Sequence, residues 1–247
     1  MKRLQVVIAS HQRCLREHPL FGLIEGANSV EPLTRIARAA AWWPMVFQDV
    51  LRLNAERVRG TEFERVAEYH KNEDAGHDRW YLSDLCVLGV DPPGLDELFG
   101  DWFQPMREAC YSLVAEVHRD QSPAERVAFL LALESTGHVF FEQIASAGDR
   151  VCPDLPLRYF ARSHLGVEKA HDLFADSTEA DLAKIVLSDA ERTETEAMVT
   201  RVYANFSDMF SYFADRMGED ARTRSGIREL GSVNAATTLE ERHASRS

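Results

Sequence analysis

The run Val127-Ala-Phe-Leu-Leu-Ala-Leu133 leads straight into Glu134 and His138, and the chain leaves again through Val139-Phe-Phe141. A helix this apolar sits inside a protein, so any fold must bury Glu134 with it. A buried carboxylate left charged and unpaired costs several kcal/mol. Glu134 therefore needs a cation, a proton, or a core arginine beside it. Two further stretches carry histidine and carboxylate at helical spacing: Tyr69-His-Lys-Asn-Glu-Asp-Ala-Gly-His77 and His164-Leu-Gly-Val-Glu-Lys-Ala-His171. Residues at i, i+4 and i+7 share one helix face, so His164, Glu168 and His171 fall within an arc of roughly 60°. His70, Glu73, Asp74 and His77 do the same one segment earlier, although Lys71, Asn72 and Asp78 also allow a solvated face there. Five of the nine histidines lie in these three stretches. Imidazole with carboxylate suits iron, manganese or zinc better than magnesium or calcium.

The rest of the chain reads as helix throughout, with alternating Val/Ile/Thr runs almost absent. A first helix covers about 2–17 and stops at His18-Pro19. Ser29 caps a second, with Pro32 in its first turn, which runs to about Arg59 and is kinked by Pro44. Thr61 and Glu64 open a third that continues to Leu88 and ends at Gly89. A fourth spans about 95–119 with a break near Pro105. Ser122-Pro-Ala-Glu125 is a capping box for the fifth, which reaches about Ala147. The sixth starts at Asp154 or Pro156 and reaches about Asp176. A short seventh covers 178–187, and a long eighth runs from Asp189 or Ala190 to Met217. From Glu219 the sequence is polar and aperiodic, and reads as a loose tail with at most a short helix near 238–243. The expectation is one all-α domain over 1–218, a bundle of seven to eight helices, followed by a tail at 219–247.

Composition narrows the partners. A net charge of -12 argues against a nucleic-acid backbone or an anionic membrane surface. No apolar run approaches the roughly 20 residues that cross a bilayer, and the N-terminal apolar run is too short for a signal peptide. The expected location is the cytoplasm. Cys14, Cys86, Cys110 and Cys152 show no paired spacing and read as buried free thiols of a reducing compartment.

Two bundle families use ligands in this way. Ferritin-like bundles take a Glu from each of two helices and Glu-x-x-His from two others. Glu168-x-x-His171 and, with Asp for Glu, Asp74-x-x-His77 fit that pattern, with Glu134 a third group. The fourth is missing, Asp49 and Glu56 being weak candidates, and His164 is left over. Over about 15–215 the chain more closely resembles the heme-oxygenase-like di-iron oxidases, relatives of thiaminase-like and pyrroloquinoline-quinone-synthase-like proteins. Their pattern is a carboxylate and a His on one helix, a lone Glu on a later one, then His-x3-Asp/Glu-x2-His. His77, Glu134 and His164/Glu168/His171 fall on it in order. The segments His70–Gly89 and His18–Gly26 look similar to family members described as iron-containing redox enzymes. The chain departs from the pattern at the first helix, where His70 stands in the place of the usual Glu. Either Glu73 takes that role from one turn nearer, or His70 is a nitrogen ligand, or one metal site is weak.

The resemblance implies a heme-oxygenase-like bundle holding two iron(II) ions, with manganese as the substitute. It implies dioxygen as co-substrate and a small amine- or carboxylate-bearing metabolite as substrate, in a biosynthetic pathway. Members of the family also pair as homodimers. His138 is then a partner that orients a ligand. Trp42, Trp43, Phe47, Phe140, Phe141 and Tyr159 either line an apolar substrate pocket or simply pack the core. Arg158, Arg162 or Lys169 either clamps a substrate carboxylate or stays at the surface. Three alternatives stand beside this reading. One is a heme protein with His11 or His18 as proximal ligand. Another is a metal-free thiaminase-like or quinone-synthase-like enzyme, with Cys86 or Cys110 as nucleophile in the thiaminase case. The third is a binding protein in which these side chains form a buried polar network.

Overall fold

The structure, a computed structural model, describes residues 2–170 and 186–218, with the side chains of all but residues 2 and 167–170. All regular structure among them is helical. In chain order the helices are α1 (Lys2–Arg16), α2 (Pro19–Glu25), α3 (Glu31–Ala39), α4 (Trp42–Val58), α5 (Glu64–Glu73), α6 (His77–Val87) and α7 (Leu95–Phe99). A short 3-10 turn, Asp101–Phe103, precedes α8 (Gln104–Val117), α9 (Pro123–Val151), α10 (Arg162–Ala170) and α11 (Asp189–Gly218). The expected seventh helix and the tail lie outside the described residues, apart from Val186 and Leu187, which are not helical.

Each departure from the expected boundaries has a local cause. His18-Pro19 ends α1 but also starts α2. Proline is well suited to a first helical turn, and the His18 ring accepts the Leu20 N–H at 3.2 Å. The second expected helix is two, divided at Ala40–Ala41. Pro44 has no N–H for the Ala40 carbonyl and its ring crowds that group, so the chain turns there and not at the proline itself. The third is also two. Asp74 closes α5, and Gly76, at φ +94°, turns the chain into α6. The break in the fourth falls at Gly100, and Pro105 opens α8. Ser122 and Glu125 cap α9 reciprocally as expected, but the helix continues to Val151. The segment 153–161 is not helical, and α10 begins at Arg162. Cys110 and Cys152 are buried, while Cys14 and Cys86 are exposed, against the expectation that all four lie inside.

Helix α9 is the axis of the fold. It packs against α1, α2, α3, α4, α5, α10 and α11. Residues 124–136 of α9 are buried without interruption, which is why the segment carries no polar face. Fully burying each Leu, Val or Phe contributes about 1.5–3 kcal/mol, enough to hold Glu134 inside with its neighbours. Among the described residues no helix is long and apolar enough to cross a membrane.

The corner between α5 and α6 depends on Gly76. A Cβ there would meet nothing within 4 Å, so the cost of a side chain is conformational. Gly76→Ala is expected to destabilise the protein by about 1–2 kcal/mol. In a thermal melt this lowers Tm by roughly 2–4 °C per kcal/mol, and an unchanged Tm would show that the corner does not need glycine.

Candidate metal centre

Four helices bring ligand-type side chains to one place. His70 and Asp74 come from the end of α5, His77 from the start of α6, Glu134 from the middle of α9 and His164 from the first turn of α10. All five are buried, at 1–5% exposure. The first stretch is therefore not a solvated face. His70 Nε2 lies 2.9 Å from Asp74 Oδ2 and 3.2 Å from Glu134 Oε2. Asp74 Oδ1 lies 3.1 Å from His77 Nδ1. The Asp74 carboxylate thus bridges two imidazoles across the helix break. Gln48 donates to the Asp74 backbone carbonyl at 2.8 Å, so α4 holds the corner in place.

His164 joins the group at the same His77 nitrogen that faces Asp74. Its Nε2 lies 3.3 Å from His77 Nδ1, and its Nδ1 lies 2.6 Å from the Tyr159 carbonyl oxygen. A carbonyl only accepts, so Nδ1 carries a proton, and in that tautomer the Nε2 lone pair faces His77 Nδ1. Aromatic rings hold this arrangement on two sides. The Trp80 ring lies 4.5 Å from His77 and the Phe141 ring 4.3 Å from His164, centroid to centroid. His138 is half-buried, its Nε2 3.8 Å from Glu134 Oε1, where it can steady that carboxylate.

Burial alone would raise the Asp74 carboxyl, but hydrogen bonds from His70 and His77 outweigh it and hold the group well below the usual carboxylate range. Partial desolvation, with the charges of Glu73 and Glu134, raises the Tyr69 hydroxyl. Glu73 is half-buried beside this cluster, and Asp74 is the carboxylate of that turn that enters it. The Glu168 side chain and His171 lie outside the described residues.

The cluster lines a cavity of about 20 Å³, room for one water-sized occupant. Trp43, Pro44, Phe47, Leu133, Phe141 and Tyr159 form its apolar wall, and Gln48 adds a polar group. Of the six aromatics weighed between a pocket wall and the core, Trp42 donates to the Leu98 carbonyl and Phe140 stacks on Phe210 in the core. No lysine or arginine lines it among the described residues. Arg162 pairs with Asp149 at 2.7 Å, and Arg158 lies over the Trp80 ring. Gly137, one turn past Glu134, also faces the cavity, and a Cβ there would meet nothing within 4 Å. A glycine in the middle of a 29-residue helix costs stability, yet here it keeps a hollow open.

The donor chemistry fits a transition metal: three imidazoles and two carboxylates, all desolvated. The arrangement in this structure is a hydrogen-bonded one, because the donors turn toward each other. Among the described residues no group of three or more His, Cys, Asp or Glu is disposed to hold a metal ion. Other chemistries find less support. Cys110 is buried against Met106 with its thiol pushed up to about 12 by burial, Cys86 is exposed, and neither lines the cavity. His11 stacks on Tyr203 and His18 caps α2, both outside the cavity lining.

Comparison with solved structures places the architecture. The chain superposes on the crystal structure of a domain of unknown function with a heme oxygenase-like fold from Shewanella denitrificans OS217, with a TM-score of 0.65 over 87% of this chain and 91% of that one. The fold is heme oxygenase-like. At 13% identity the likeness concerns the fold alone. No protein-family model matches the sequence, and a search of curated proteins finds no match.

Sequence reasoning named His70, His77, Glu134 and His164, and the structure brings these four together. For the first stretch the sequence leaves open whether Glu73 or His70 is the ligand; it places Asp74 on the same face and pairs it with His77 in the ferritin-like pattern. The spacing Asp74-x-x-His77 was the available signal. The Tyr159 carbonyl, Gln48 and Gly137 have no sequence signal of their own, since their roles depend on tertiary placement.

Two measurements probe this geometry. The depressed Asp74 carboxyl contributes stability that is present above its unfolded pKa of about 3.9 and is lost as pH falls through its folded value. In urea melts of metal-free protein, wild type should exceed Asp74→Asn by about 1–3 kcal/mol above pH 5, and the gap should narrow below pH 4. A gap independent of pH would remove the charge from the argument. Gly137→Ala should raise Tm by a few degrees, since Ala is favoured over Gly by about 0.5–1 kcal/mol in a helix. A fall in Tm would mean the hollow is already filled.

Proposed function

We propose that this protein is a metal-dependent oxidoreductase that binds iron(II), or manganese in its place, between α5, α6, α9 and α10. We propose further that it acts with dioxygen on a small amine- or carboxylate-bearing metabolite in a biosynthetic pathway. The observation that supports this is the convergence of five buried histidine and carboxylate side chains from four helices on one apolar-walled cavity. The sequence resemblance to heme-oxygenase-like di-iron oxidases points the same way. His77, Glu134 and His164 would hold metal together with Glu168 and His171. Asp74, Glu73 and His70 are the candidates for the remaining first-stretch donors.

Bound iron would supply the reduction of dioxygen. The chain's own residues prepare the place for it. Tyr159 keeps a proton on His164 Nδ1, so the lone pair of this ring is on Nε2, the nitrogen that faces His77. His138 Nε2, 3.8 Å from Glu134 Oε1, is near enough to orient that carboxylate after a small rotation. Trp43, Phe47, Leu133 and Phe141 exclude water, which strengthens every charge interaction inside. Metal binding requires neutral imidazoles and ionised carboxylates, so it releases the protons that now join these groups.

A second reading has an observation in its favour. His70, Asp74, His77 and Glu134 pair with one another at 2.9–3.2 Å, as the side chains of a metal-free enzyme or of a binding protein with a buried polar network would.

Metal content separates the two. Anaerobic iron(II) titration of the purified protein is expected to saturate at about two ions per chain, and exposure to air should then consume oxygen. Glu134→Gln, His164→Ala and His171→Ala should each lose metal while circular dichroism shows most helix retained. Full loading in all three variants, or no loading of the wild type, would overturn the metal assignment.

A further inference from the structure

We infer that Asp84 is a positioning residue for the centre: it clamps the backbone of 158–160 so that the Tyr159 carbonyl fixes the tautomer and direction of His164. Asp84 is on α6, two turns beyond His77, and is fully buried. Its Oδ1 accepts the Arg158 N–H at 2.8 Å and its Oδ2 accepts the Phe160 N–H at 2.9 Å. The Tyr159 N–H is turned toward the same carboxylate. Three successive backbone donors around one anion form a cradle that the 153–161 segment could not offer if it were helical. This accounts for the late start of α10 at Arg162.

The consequence reaches His164 through covalent geometry. With the N–H groups of 158–160 held toward Asp84, the Tyr159 carbonyl lies 2.6 Å from His164 Nδ1. Packing agrees with this placement. Tyr159 rests against Tyr81, Phe141 and His164, with ring centroids 5.6, 5.2 and 5.1 Å away. Tyr81 in turn donates to the Ala37 carbonyl at 2.7 Å. Apolar packing fixes where the segment lies but not which way its peptide planes face. Asp84 sets the planes, because its two carboxylate oxygens accept the Arg158 and Phe160 N–H groups from one side of the segment. The role of His164 Nε2 as a ligand rests on the function proposed above; its orientation does not.

The test uses full-length, metal-free protein with 15N-labelled histidine at a pH where the rings are neutral. His164, assigned by comparison with His164→Gln, is expected to show the Nδ1–H tautomer alone, which a solvent-exposed imidazole disfavours. In Asp84→Asn, which keeps the size but replaces one acceptor by a donor, that signature should give way to a tautomer mixture. Tyr159→Phe, which keeps the carbonyl, should leave it intact. A wild-type Nε2–H tautomer, or a wild-type signature in Asp84→Asn, would overturn the assignment. Should Asp84→Asn not fold, hydrogen exchange of the wild type carries the test. The amides of 158 and 160 should be protected like those of α9, and free exchange would overturn the clamp. None of these readings involves metal, so iron loading can fail while the clamp holds, and the reverse.

Discussion

Buried carboxylates must be compensated, and here two of them, from different helices, meet at one nitrogen. Asp74 and Glu134 both lie within 3.2 Å of His70 Nε2. Glu134 is held in place by the most apolar stretch of α9, which has no other way to pack. Removing the partner of a buried charge costs about 3–5 kcal/mol, so the surrounding elements must deliver compensating groups accurately. The helices around the cavity can be understood as answers to that demand. Helix α5 delivers His70 and Asp74, α6 delivers His77, and α10 delivers His164.

The corner at Gly76 is what lets one carboxylate serve two imidazoles. On an unbroken helix His70, Asp74 and His77 would form a stripe along a single face. Ending α5 at Asp74 and restarting at His77 turns the two rings toward opposite oxygens of the same group. The Gln48 contact to the Asp74 carbonyl ties the corner to α4. Asp84, further along α6, then carries the influence of that helix across to the segment before α10.

Periodicity made the all-helical class and most helix positions legible, because apolar burial dictates both. Capping chemistry located the start of α9 at Ser122. Breaks were harder. The division at Ala40–Ala41 stems from Pro44 acting four residues upstream, while the one at Gly76 has no proline and its glycine looks like any tolerated helical glycine. The segment 153–161 reads as helical because nothing local shows that Asp84, distant in sequence, will take its N–H groups. At the site, histidine spacing pointed to the right faces. The choice between Glu73 and Asp74 depends on a corner that spacing on a straight helix does not contain.

A buried polar network and a metal centre can share every one of these side chains, so burial and hydrogen bonding alone do not separate them. The cavity does bear on the choice. A network evolved only to hold helices together gains by closing around its members, since an interior void forfeits contacts on every side. Here the void persists beside Glu134, and the helix bearing it carries a glycine where alanine would both fit and favour the helix. The stability forgone at Gly137 has no return within the folded chain itself. It has one if a ligand or substrate comes to lie against α9 at that turn, next to the donors that His164 and His77 turn toward the same space.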